Sequence, residues 1–208
     1  MTDATVERRA LGRRAVALEW GTIGYNVVEG IVAIGFGVVA GSIALTGFGI
    51  DSIIEVTAAG VVLQRLVVEL RGAEPDEAKE RRALRVVACT FFALAVYVVV
   101  EGVRDLVIGA TPSTSPAGIV VTAASLVVMP TLARFKQRVG VALGNRLVIA
   151  DAAETRLCAL LSASTLLGLV GYAAFGWRWL DPLAGFVIAY FAIREGREAW
   201  EGELVCDD

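Results

Sequence analysis

Histidine is absent from the 208 residues. Any metal site in this chain must therefore use carboxylate, thiolate, amide, hydroxyl or backbone ligands. Cysteine is scarce. Cys89, Cys158 and Cys206 are odd in number and widely spaced, and two of them lie inside apolar runs. That excludes a disulfide framework. Lysine is nearly missing, no basic stripe lies outside the loops, and the net charge is −3. A nucleic-acid partner is thereby excluded. The opening stretch MTDATVERRALGRR is polar, with no apolar core and no cleavage site, so it does not read as a signal peptide. Charged residues make up only 20% of the chain, and no long soluble domain is left once the apolar runs are assigned.

What is there is hydrophobic: 56% of the residues. About 20 consecutive apolar residues cross a bilayer as a helix. Six segments qualify, at 15–39, 42–64, 85–108, 117–139, 147–174 and 181–200. The predicted fold is all-α, a polytopic membrane protein with six transmembrane helices over 15–200. A cytoplasmic segment 1–14 precedes it and a short tail 201–208 follows. Ala40-Gly41-Ser42 joins the first two spans as a tight hairpin. GATPSTSP separates the third and fourth, and FGWRWLDP the last two, where two tryptophans mark an interface.

Lysine and arginine set the orientation. Sixteen of the nineteen basic residues fall on one side of a six-span arrangement, among them Arg134, Lys136 and Arg138 between the fourth and fifth spans. Both termini are therefore expected in the cytoplasm. Plentiful Ala, Val and Arg beside almost no Lys suggests GC-rich bacterial coding. The expected location is a bacterial inner (plasma) membrane. The mixed-sign loop GAEPDEAKERRA reads as a solvated helical extension.

The stretch GSIALTGFGIDSIIEV breaks the apolar pattern. An ionised side chain at mid-bilayer costs at least about 2.5 kcal/mol. Asp51 and Glu55 lie one helical turn apart and share a face. Two acids so close repel, and one takes a proton unless a cation sits between them. In the fifth span, Asp151, Glu154 and Cys158 fall at i, i+3 and i+7, one stripe of a helix. Glu154 and Cys158 repeat the spacing of Asp51 and Glu55. The two spans run in opposite directions, so packing could bring the pairs to similar depth. Four ligands of this kind suit Zn²⁺ and its neighbours. Cys158 alone is a small buried hydrophobe; one turn after Glu154 it becomes a candidate ligand. Asp151, nearer the cytoplasmic end, either caps the helix or lines an entrance.

Other polar groups lie inside spans. Asn26, Glu29 and Glu101 are candidates for a pathway or for a shell around the site. Arg156 points roughly 200° away from Glu154 on the helix wheel. It has two readings, an ion pair with Glu29 or Glu101, or a place on the pathway. Glu19, Arg104, Asp105 and Asp181 sit near span ends, where they can reach headgroups or cap helices. Gly37 and Gly41 form a GxxxG that supports close packing.

Ser42-Ile43-Ala44-Leu45 followed by Asp51-xxx-Glu55 resembles the second transmembrane helix of the cation diffusion facilitator family, where Ser-x-Ala-Leu precedes Asp-xxx-Asp. Ala150-Asp151 followed by Glu154-xxx-Cys158 resembles that family's fifth helix, where Ala-Asp leads into His-xxx-Asp or Asp-xxx-Asp. The resemblance implies that Asp51, Glu55, Glu154 and Cys158 stand where the family binds its transported divalent metal. It also implies a homodimer. Glu replaces the second acid, Glu154 the usual His, and Cys158 the last Asp. The family's cytoplasmic C-terminal domain has no counterpart, so the resemblance is to a shortened member.

The expected function is export of a divalent transition metal, zinc first, with Cd, Co, Fe and Mn also compatible. Protons are expected to exchange for it at the same intramembrane site. No catalytic residue and no prosthetic group is expected, and the chain is not read as an enzyme. An organic-cation transporter and a non-transporting membrane subunit remain the alternatives.

Overall fold

The computed structural model describes residues 3–72, 77–109 and 113–201. Six helices follow one another: α1 Asp3–Ala40, α2 Ile43–Leu70, α3 Glu77–Ile108, α4 Pro116–Leu143, α5 Arg146–Phe175 and α6 Leu180–Glu201. The shortest has 22 residues, enough at 1.5 Å per residue for the roughly 30 Å of hydrocarbon in a bilayer. Length and composition alone qualify three stretches as spans: Glu7–Ala40, Pro116–Leu143 and Leu147–Phe175. The described residues form an all-α bundle of six helices, the architecture of a polytopic membrane protein.

α1 runs unbroken from Asp3 to Ala40, so residues 3–14 are helical and continuous with the first apolar run. α3 begins at Glu77, and the mixed-charge loop thus continues as helix.

The chain runs up and down. At one end, Ser113 N–H donates to Ala40 C=O at 2.7 Å, and Asp181 reaches the start of α2. At the other end, Asn145 donates to Glu69, and Gly12 lies against Leu70. The helices pair as α1 with α2, α4 with α5, and α3 with α6, while α2 also touches α3, α5 and α6. This makes α2 the central element. Its Leu45 and Phe48 are fully buried.

Lipid tails are as apolar as leucine, so such helices associate by close packing rather than by escape from water. Gly49 supplies the closeness between α1 and α2: a Cβ there would lie 2.7 Å from the backbone nitrogen of Ile34. The GxxxG divides its labour. Gly37 presses on Thr46 of α2, but Gly41 meets nothing and serves the hairpin turn with φ +64°.

Helix ends are closed because an unsatisfied backbone group in lipid costs several kcal/mol. Ser42, Ser115 and Asn145 cap the starts of α2, α4 and α5. Asp181 adds a second cap to α2 from another helix, accepting from Ser42 Oγ at 2.5 Å and Ile43 N–H at 2.8 Å. It is a capping residue, as its position near a span end suggested, but it is buried and caps a neighbour. Large apolar side chains such as Val28, Ile31, Val107, Val120 and Leu167 point outward, as a lipid-facing surface requires. Phe175, Trp177 and Trp179 stack in sequence where α5 gives way to α6.

Candidate functional site

Asp51, Glu55, Glu154 and Cys158 line one cavity. Asp51 and Glu55 reach it from α2, whose one-turn spacing puts both on the buried face. Glu154 and Cys158 reach it from α5. Asp51 on α2 and Glu154 on α5 each lie nine residues, about 14 Å, from the cap of their own helix, which follows from the rise per residue. The helices enter from opposite ends, so the two pairs meet within the bundle. Phe91 of α3 and Leu157, Leu161, Phe191 and Ala192 complete an apolar wall. The cavity holds about 20 Å³. A volume of this size accommodates roughly one water-sized particle.

Asp51, Glu55 and Cys158 are buried, and Glu154 is half-buried. Both carboxylate oxygens of Glu55 are shielded from solvent and have no hydrogen-bond partner. The donors surround the cavity rather than converge: among the described residues, no three His, Cys, Asp or Glu side chains are grouped as a loaded metal centre would be.

Glu195 escapes the sequence reading, and Glu19 is placed by it only near a span end. Glu195 of α6 is buried and lines the same cavity. Its signal was its place on the stripe Asp181, Gly185, Ile188, Ala192, Glu195, Ala199, all buried. Glu19 was assigned to a span end, yet it is fully buried. Its oxygen lies 3.0 Å from Nζ of Lys136, which is itself fully buried. Asp151 pairs with the same ammonium. Lys136 is therefore not a residue of a cytoplasmic loop; α4 continues to Leu143 and carries it inside.

The remaining candidates separate. Glu29 is buried and accepts a hydrogen bond from Ser52 Oγ at 2.9 Å, one residue beyond Asp51. Asn26 is buried with neither amide atom partnered. Glu101 lies apart on α3 and pairs with Arg104 at 2.8 Å. Arg156 is exposed and donates to Gln137 at 3.3 Å. The expected ion pair of Arg156 with Glu29 or Glu101 is not formed, because Arg156 turns outward and Glu101 has a partner on its own helix. Cys89 is exposed, and Cys206 lies outside the described residues.

Residues 83–202 match the family described as the cation efflux transmembrane domain. The match covers α3 to α6, and with them Glu154, Cys158 and Glu195; Asp51 and Glu55 lie before it. An uncharacterized transporter of Methanocaldococcus jannaschii is 27% identical over 171 residues. The alignment takes in 79% of this chain and 59% of that relative, so the chain spans a little under two thirds of its length. With more than half of its residues matched, and those residues folded into four helices of a membrane bundle, the chain belongs to the cation efflux family, the cation diffusion facilitators.

Proposed function

We propose that the protein exports a divalent transition-metal cation, zinc first among the candidates, in exchange for protons at one intramembrane site. The observation that carries this reading is the shared cavity of Asp51, Glu55, Glu154 and Cys158, with Glu55 unpartnered inside it. Acids without partners in a low-dielectric interior are stable only with a cation or a proton.

Binding would draw the side chains in around the ion, which displaces whatever protons they hold. When the ion leaves, the acids cannot all stay ionised, and protons return. Metal and protons then compete for one site, and coupling needs no separate proton path. Access alternates as the helices rock around the site. Three oxygens and one sulphur suit Zn²⁺, while Cd²⁺, Co²⁺, Fe²⁺ and Mn²⁺ fit with different preference for thiolate and carboxylate. The cavity of about 20 Å³ favours a bare ion over an organic amine. The reading carries with it a bacterial inner membrane and a homodimer as working unit.

Zinc flux into proteoliposomes tests it. Asp51→Ala is expected to fall to the background of empty vesicles while remaining a monodisperse helical protein. Wild-type flux in that variant ends the proposal.

A further inference from the structure

The buried face of α4 reads Gly118, Thr122, Ser125, Met129, Ala133, Lys136, Gly140. Spacings of three and four residues keep these on one stripe, and Lys136 is the one member with a charge. Arg134 and Arg138, off the stripe, are exposed. Lys136 is fully buried between three helices. Glu19 of α1 approaches its ammonium at 3.0 Å, Asp151 of α5 accepts from it, and Thr155 Oγ1 lies at 3.4 Å. Thr155 follows Glu154 directly on α5 and comes three residues before Cys158. The turn of α5 that meets the ammonium therefore also carries two of the residues that line the cavity. Asp151 precedes Glu154 by one turn on the same helix face.

We propose that the Lys136–Glu19–Asp151 network sets the cation affinity of the cavity, its ammonium holding the incoming ion's grip below what the acids alone would give. The inference rests on the cation site proposed above. The ammonium opposes a second cation, and Glu19 and Asp151 beside it set how much of that opposition reaches the cavity. An exporter must release what it binds, and a built-in opposing charge shortens the residence of a dication. Lys136 touches none of the candidate ligands, so it acts as a positioning charge through its surroundings.

Two substitutions break the same ion pair with opposite changes of charge. Glu19→Gln leaves the ammonium less compensated; Lys136→Met removes the ammonium itself. Zn²⁺ is titrated calorimetrically into the purified full chain at fixed pH. Glu19→Gln is expected to weaken binding roughly tenfold and Lys136→Met to tighten it by about the same factor, as expected for one unit charge near a dication. A network that only braces the fold would shift both in the same direction, and that result, or no shift, overturns the inference. Should Lys136→Met fail to fold, Glu19→Asp replaces it. Weakening in Glu19→Gln that Glu19→Asp does not share upholds the electrostatic role; weakening in both, or in neither, overturns it. Asp51→Asn in the same titration tells the two claims apart. If it leaves zinc binding intact, the proposed site falls and this inference with it. If it abolishes binding while the charge changes do nothing, only the network's role is lost.

Discussion

Besides Glu29 and the capping Asp181, the described residues of this bundle hold two clusters of acids in its interior, and they differ in one respect. Glu19 and Asp151 enclose Lys136, a cation that belongs to the chain. Asp51, Glu55, Glu154 and Glu195 surround a cavity with no basic side chain among its lining residues. Breaking a buried ion pair by removing one partner leaves an uncompensated charge. The first group is therefore fixed by its own lysine. The second has no such partner of its own, which is what the proposed cation would supply. Burial of an acid does not by itself set a site apart, since Asp181 is buried as a cap; a cluster of acids around a cavity with no resident counter-charge does.

That contrast is broken most forcefully by exchanging the phenotypes of the two groups. Asp51→Ala is expected to abolish zinc flux, yet to leave the thermal midpoint unchanged or higher, since it removes a buried acid that no basic side chain offsets. Lys136→Met is expected to do the reverse to the fold, costing about 3–5 kcal/mol through the two carboxylates left behind. Thermal or denaturant unfolding in detergent measures both. If Asp51→Ala destabilises as much as Lys136→Met, the distinction between the groups is wrong.

Smaller effects sharpen it. Cys158→Ser replaces a soft donor with a harder one, and the preference for Cd²⁺ over Mn²⁺ should drop by roughly tenfold. Competition binding with both ions checks this; an unchanged ratio removes Cys158 from the ligand set. Glu195→Gln is expected to weaken zinc binding only a few-fold, because its carboxylate lines the cavity from a third helix and adds charge rather than completing either pair. Complete loss would place Glu195 among the ligands, and no change would place it outside the site's field.

Much of this was legible in the sequence. Six apolar runs gave six helices, and the hairpin at Ala40-Gly41-Ser42 forms where glycine permits a positive φ. Asp51 with Glu55 and Glu154 with Cys158 stood out because acids at one-turn spacing are costly in apolar spans. Their meeting around one cavity is what the fold adds. Lys136 was misplaced for a physical reason. A basic residue near the end of an apolar run looks like a snorkelling or loop residue, and the end of α4 lies beyond the apolar stretch, at Leu143. Only its register with Met129, Ala133 and Gly140 distinguished it from the exposed Arg134 and Arg138. Glu195 was obscured in the same way by its neighbours Arg194 and Arg197. The partner of a buried charge on a distant helix, such as Glu19 for Lys136, has no local signal at all.

The central claim is that the acids and thiol of α2 and α5 hold one divalent cation between them. Calorimetric titration of the purified protein with Zn²⁺, beside Glu55→Gln, tests this most directly. The account predicts one zinc per chain with proton release in the wild type, and loss of that binding in Glu55→Gln. Zinc binding of undiminished affinity and stoichiometry in Glu55→Gln would contradict it.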